Sequence, residues 1–339
     1  MKFNLLISSL LCIVLFTSCE NPISMKTKVH EDGSLDKTII LEKTNDFRAE
    51  KNMFGINQDK GWTVNSIKLS DSAQRYRIEF TKSFKSAEEA NLELDNKSDS
   101  LFRIQSTFEK KFRWFYTYIT YTETFKAINR FNLVSADDYF NQEDHSFIDR
   151  LPGEGKSISK ADSIYMETLN QKIAERFVNM AILEEQLEIL KEVMGRNGID
   201  KQWEDSLKKE KELIYNIIDE DKGNPRLAEK IADTLKIPLP QPQASGDFKQ
   251  LSKDFNSRLS FMGFANDGQY VNEVEMPWTI TNSNADSAYN NTLVWRPLAT
   301  KFAFKDYTMV AEARKLNLWA VVVSCIFLLV AIYFVVKKN

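Results

Sequence analysis

Few side chains in this 339-residue sequence stand at spacings that organise chemistry. Arg150 to Ser157 approximates a phosphate-cradling loop, GxxxxGK[ST], but Arg150 occupies the position of the first glycine and no hydrophobic strand precedes it. Ser157 and Lys160 stand at S-x-x-K spacing, which would set a lysine base beside a serine nucleophile. Ser34–Lys37 and Ser206–Lys209 match it too, so the pattern carries no weight. The two histidines, His30 and His145, have no partner at ligand spacing, and no cysteine follows Cys19 until Cys325. That excludes a cysteine-based zinc site and a disulfide framework in the intervening chain. Glu184, Glu185, Glu188 and Glu192 read as a solvated helix face. The chain is therefore expected not to be an enzyme and to hold no cofactor and no metal.

The remaining chemistry is apolar. Phe112, Trp114, Tyr116 and Tyr118 fall on one side of an apolar run from Phe112 to Phe125, with Phe115, Ile119, Tyr121 and Phe125 on the other. A strand apolar on both faces is normally central and covered twice, so core packing is the simplest reading. The sharper one makes the first four residues a face for an apolar ligand, a lipid or a glycan.

Two kinds of element must position these residues. Ser24 to Val29 and Leu35 to Lys43 flank an Asp32-Gly33 turn, a hairpin signal. Trp62 to Leu69, Arg75 to Phe80 and Phe102 to Glu109 also read as strands, and Ser86 with Glu89 forms a capping box for a short helix. From Ser135 the pattern turns helical. Ser159 with Asp162 caps a predicted helix over 160–194, where Ile173, Phe177, Met180, Leu183, Leu187, Leu190 and Met194 recur at spacings of three and four. Further helices follow Asp200, Asn224-Pro225 and Asp247. Strand patterns return at Tyr270 to Glu275, Thr292 to Trp295 and Tyr307 to Ala311.

The chain ends say where this architecture sits. Met1 to Ser18 has one Lys, an apolar core from Leu5 to Phe16, and then small residues: a secretory signal peptide. Leu316 to Val336 is nearly all apolar, with Trp319 and Tyr333 near its ends, and reads as a transmembrane helix. Four residues from Glu20 to Ile23 reach about 13 Å, so both ends of the exported part are held at one membrane surface. The expected organisation is α+β: signal peptide 1–18, a β-rich domain from 19–134 and 260–315, an α-helical insertion over 135–259, the span 316–336 and a cytoplasmic tail 337–339. A net charge of −3 gives no reason to expect nucleic acid as a partner.

Two resemblances sharpen this. The boundary Phe16-Thr17-Ser18-Cys19 resembles the lipobox of bacterial lipoproteins, with Phe16 where Leu is usual, which implies lipidation of Cys19. Met276 to Trp295 resembles the close of LppM-type bacterial lipoproteins. Pro277, Asn284, Ala285, Asn291, Thr292 and Trp295 match, Trp278 stands where Gly is expected, and the order of lipobox, Asp32-Gly33-Ser34 hairpin, closing motif and span agrees. The helical insertion has no counterpart. The resemblance implies a membrane-anchored α/β lipoprotein, with a possible lipid- or glycolipid-binding fold and no catalytic residue. The expected function is a non-enzymatic cell-envelope scaffold or partner-binding module in the inner membrane, its ectodomain facing the periplasm. Its partners would be membrane lipids, and envelope proteins through the helical insertion. A lipid or glycolipid carrier is the alternative, and an envelope hydrolase the third class.

Overall fold

A computed structural model describes residues 21–43, 53–56, 58–70, 75–98, 100–199, 202–221 and 223–338. Cys19, the leader and Asp200, after which a helix is expected, lie outside them. The chain divides into two units: Met1–Ala127 with Asp267–Asn339, and Ile128–Asn266.

The first unit is built on β1 (Asn21–Val29), β2 (Leu35–Lys43), β3 (Thr63–Ser70), β4 (Arg75–Phe84), β5 (Ile104–Phe112), β6 (Tyr116–Phe125), β7 (Gly268–Glu275), β8 (Thr279–Ser283), β9 (Ser287–Tyr289), β10 (Thr292–Trp295) and β11 (Tyr307–Leu316). One sheet has the order β3-β4-β2-β1-β7-β10-β9, the other β5-β6-β11-β8. The mixed α+β class expected from sequence holds, and the larger sheet joins the two ends of the chain: β1 pairs in parallel with β7. Every other pairing between these strands is antiparallel.

The β1–β2 turn shows why its glycine is needed. Gly33 has φ +92°, and a Cβ there would lie 2.8 Å from the Phe108 ring. Asp32 closes the turn by accepting from the Ser34 amide at 3.0 Å and hydroxyl at 2.7 Å. The helix Ala87–Leu94 begins at Ser86, whose hydroxyl accepts from the Glu89 amide. Its Asn91 side chain donates to the Ser106 carbonyl at 2.8 Å and accepts from the Ser106 amide at 2.7 Å, so the free edge of β5 is covered. The apolar core gathers Phe102, Phe125, Tyr270 and Phe302, with Phe102 and Tyr270 stacked at 5.6 Å between centroids.

One predicted strand is two. Phe112 to Phe125 does not run straight: β5 ends at Phe112, Arg113 to Phe115 turn, and β6 returns antiparallel from Tyr116. The Arg113 amide closes the turn on the Tyr116 carbonyl at 2.8 Å. A turn made of Arg, Trp and Phe carries none of the Gly, Asn or Asp that ordinarily marks one. At the end of β11, strand pairing continues through Leu316, so the last helix spans Leu318–Lys338 and not 316–336.

The second unit is helical: Gln142–Arg150, Lys160–Gln171, a π-wound stretch Lys172–Val178, Asn179–Arg196, Gln202–Lys209, Lys211–Asp221, Leu227–Thr234 and Gln243–Asn266. Leu183, Leu187, Leu190 and Met194 face Ile214, Ile218, Ile231 and Phe255 in its core. Glu185 departs from the expected solvated face. It is buried and takes Arg258 at 2.8 Å and the Asn132 amide at 2.8 Å. Glu184, Glu188 and Glu192 do pair on the surface, with Lys211, Lys191 and Arg196.

Gln142–Arg150 starts with a capping box the sequence reading did not identify, Asn141 with Asp144. Burial alone would raise the Asp144 pKa. Lys172, the Asn141 amide and the Tyr165 hydroxyl outweigh burial and hold it below the usual aspartate range. Because the folded pKa is depressed, this contribution is present above the unfolded value near 3.8 and is lost as pH falls through the lower folded value. Asp144→Asn is expected to flatten the acid limb of this unit's stability, checked by following helical circular dichroism between about pH 5 and pH 2 in both proteins.

Candidate functional site

The C-terminal helix has 21 residues, about 31 Å at 1.5 Å per residue, and is long and apolar enough to cross a membrane. What distinguishes it is how it leaves the sheet. A single residue, Asn317, stands between β11 and the helix. Its Oδ1 accepts from Thr117 Oγ1 at 2.9 Å, and its Nδ2 donates to the carbonyls of Arg113 at 2.8 Å and Trp114 at 3.2 Å. The Asn317 amide donates to the Phe115 carbonyl at 2.9 Å, and its own carbonyl accepts from Ala320 at 2.9 Å and Val321 at 3.2 Å. A buried carboxamide thus ties the first helical turn to the β5–β6 turn through every polar atom it has. This also explains a turn without turn residues: its three carbonyls are satisfied by an asparagine about 200 positions away.

The aromatic residues singled out in the sequence gather around this joint in a different arrangement from the one predicted. Phe112 stacks on Trp319 with centroids 6.0 Å apart and planes 9° from parallel. Trp114 meets the same indole edge-on at 5.3 Å and donates to Ser324 Oγ at 2.9 Å. Tyr116 and Tyr118 lie further along β6, their rings 6.3 Å apart and Arg314 4.6 Å over Tyr116. The four residues therefore do not line one strand face. Phe112, Trp114 and Phe115 remain 58%, 46% and 47% exposed, an unusual density of open aromatic surface at one loop.

A second cluster lies between the two sheets, and the sequence reading missed it. Lys37 is 3% exposed and Glu123 1%. Lys37 Nζ donates to Glu123 Oε2 at 2.5 Å, to Thr27 Oγ1 at 3.1 Å and to the Tyr121 hydroxyl at 3.2 Å. Tyr121 donates to Glu123 Oε2 at 2.5 Å, with Ser106 Oγ 3.1 Å from the same hydroxyl. Burial first, then the neighbouring carboxylate, pushes the Tyr121 pKa well above the ordinary phenol value. Glu123 Oε1 and Asn272 Oδ1, both buried, have no hydrogen-bond partner among the described residues. The signal was present in phase. Lys37 alternates with Leu35, Ile39 and Leu41, and Glu123 with Ile119, Tyr121 and Phe125, each charge at an inward position of its strand.

The closing motif is structural. Asn284 Oδ1 accepts from the Trp295 indole at 2.9 Å and the Val310 amide at 2.8 Å, and its Nδ2 donates to the Thr308 carbonyl at 2.8 Å. Trp278 donates to Glu31 at 2.7 Å. With Lys315, it holds the Glu31 carboxyl below the usual glutamate range. The remaining candidates are placed as follows. The loop after Arg150 follows a helix, and Arg150 pairs with Asp162 at 3.3 Å. His30 pairs with Asp36 at 2.8 Å, and His145 stands 3.8 Å from Asp137. No three His, Cys, Asp or Glu side chains among the described residues are grouped to hold a metal.

These features define an α+β protein with an apolar C-terminal helix locked to its sheet. No family model and no curated protein matches the chain. Among solved structures, the folded domain of the LppM protein of Mycobacterium tuberculosis, determined by NMR, is a weak neighbour. It is 8% identical at a TM-score of 0.30, with 88% of this chain and 91% of that one covered. A likeness of that size carries no argument about this chain.

Proposed function

We propose that the chain is a non-enzymatic cell-envelope lipoprotein, acylated at Cys19, with Leu318–Lys338 crossing the inner membrane and both units facing the periplasm. In this reading the β-rich unit is held at a fixed attitude to the bilayer, and the helical unit is a protein-binding platform. The observation that supports it is the Asn317 joint. An anchor that only retained a domain would need no such lock, whereas a scaffold gains from one because orientation limits which partners can be reached together. Cys19→Ser is expected to abolish metabolic labelling of the chain by fatty acid. Photo-crosslinking residues in place of Ile164 and Leu213, exposed apolar positions of the helical unit, should give discrete adducts in intact membranes. A labelled Cys19→Ser chain would remove the lipid anchor from the account. Absence of adducts at both helical positions would remove the platform.

The carrier reading draws on the open aromatic surface at the β5–β6 turn. Two of its three open rings, Phe112 and Trp114, are engaged by Trp319, which favours anchoring over loading and unloading of a ligand. Native mass spectrometry of the full chain separates the two: a bound lipid lost in Trp114→Ala would favour the carrier.

A further inference from the structure

The charged residues around the joint point to a partner of definite chemistry. Lys110 and Lys111 near the end of β5, Arg113 on the β5–β6 turn, and Arg314 and Lys315 at the end of β11 are all exposed. Strand pairing brings them to the end of the sheet from which the helix leaves, Lys111 and Arg314 both opposite Tyr118. Three carboxylates stand among them at this end of the sheet: Glu109 and Glu312 on the side of Lys111 and Arg314, and Glu31 on the side of Lys110 and Lys315. Glu31 takes Lys315 at 3.0 Å, Glu109 takes Lys111 at 2.8 Å, and Glu312 lines a cleft of about 360 Å³ with Lys111, Arg113, Tyr118, Ile119 and Thr120. Five cations against three carboxylates leave an excess of positive charge, and those two ion pairs are solvent-exposed and so worth little. Interleaved with the cations are the open rings of Phe112, Trp114, Phe115 and Trp319. Amphipathic rings beside Lys and Arg are the composition that suits the headgroup layer, where rings sit among glycerol and carbonyl groups and cations meet phosphates.

We propose that this cationic, aromatic face is a docking surface for acidic phospholipid headgroups in the bilayer that the helix enters, with the cleft between Lys111, Arg113 and Tyr118 taking a phosphate. The inference rests on the reading of Leu318–Lys338 as a membrane span. It adds a lipid preference that an apolar helix alone does not supply. The face is continuous with the helix through Trp319, which Phe112 and Trp114 both touch, so its place at the membrane surface follows from the joint. Cations at such a surface act roughly independently and are screened within a Debye length, so the preference should be graded in charge and sensitive to salt.

The test uses the full chain in nanodiscs and tryptophan quenching by brominated lipid, with brominated phosphatidylglycerol compared with brominated phosphatidylcholine at equal mole fraction. The expected result is a relative affinity for the acidic lipid of about threefold or more. It should fall close to unity in Lys111→Glu/Arg113→Glu and weaken in the unaltered chain at about 0.5 M salt. The salt arm leaves the sequence untouched, so it holds if the variant folds poorly. Equal quenching by the two lipids, or a preference that survives both the variant and salt, overturns the inference while the span stands. Absence of quenching by either lipid overturns the inference and the span together.

Discussion

Lys37→Met is expected to destabilise the β-rich unit by about 3–5 kcal/mol, because it leaves the Glu123 carboxylate uncompensated between two sheets. Removing the other partner, as in Glu123→Leu, should cost a similar amount by stranding an ammonium. Replacing both, Lys37→Met with Glu123→Leu, should recover more than half of the loss. A buried pair exchanged for apolar side chains of similar volume is often close to neutral. The Tyr121 hydroxyl can still bond Ser106 and Thr27. The readout is hydrogen exchange of peptides covering β2 and β6 in the full chain. Each single variant should speed exchange by roughly a hundredfold or more, at tenfold per 1.4 kcal/mol. Unchanged exchange in Lys37→Met, or a double variant worse than the sum of the singles, would contradict the ion pair as described. The pair also opposes a change of register. A one-residue slip of β2 would turn Lys37 outward and bury Asp36 or Thr38 opposite Glu123.

The second large effect is at the joint. Asn317→Ala removes three side-chain hydrogen bonds and leaves the buried Thr117 hydroxyl and the carbonyls of Arg113 and Trp114 without their partner. At 0.5–1.5 kcal/mol for each bond, the local cost is about 2–4 kcal/mol. It should appear as faster amide exchange confined to residues 113–117 and the first helical turn, with the Lys37–Glu123 core unaffected. Asn317→Asp tests the chemistry more finely. It keeps the acceptor for Thr117 but loses the donor to the two carbonyls, and so should release the turn while sparing the Thr117 bond.

Much of this fold was legible because the deciding forces were local. Alternation placed β4, the Asp32-Gly33 pair placed β1 and β2 as the first hairpin, and Ser86 and Ser159 placed two helix starts at the residues where their hydroxyls accept. The misses share a physical cause. The β5–β6 turn was read as continuous strand because its stabilisation comes from Asn317 and Trp319, far away in sequence. Asn317 itself disappeared into an apolar run, where one polar residue does not alter the pattern of a span. Lys37 and Glu123 sit at inward positions of their strands, but a charge there is usually discounted as an outward residue in a slipped register. Glu185 was grouped with its exposed neighbours because a run of glutamates looks the same whether or not one of them meets Arg258 in the core.

The central claim is that the β-rich unit and the C-terminal helix move as one body. It is tested most directly by a pulsed electron–electron distance measurement between spin labels at Cys325, in the helix, and at Ile67→Cys, an exposed position on β3, with the full chain in nanodiscs. The account predicts a single narrow distance distribution that broadens in Asn317→Ala. A broad distribution with Asn317 intact would contradict it, and would reduce the C-terminal helix to a flexible tether.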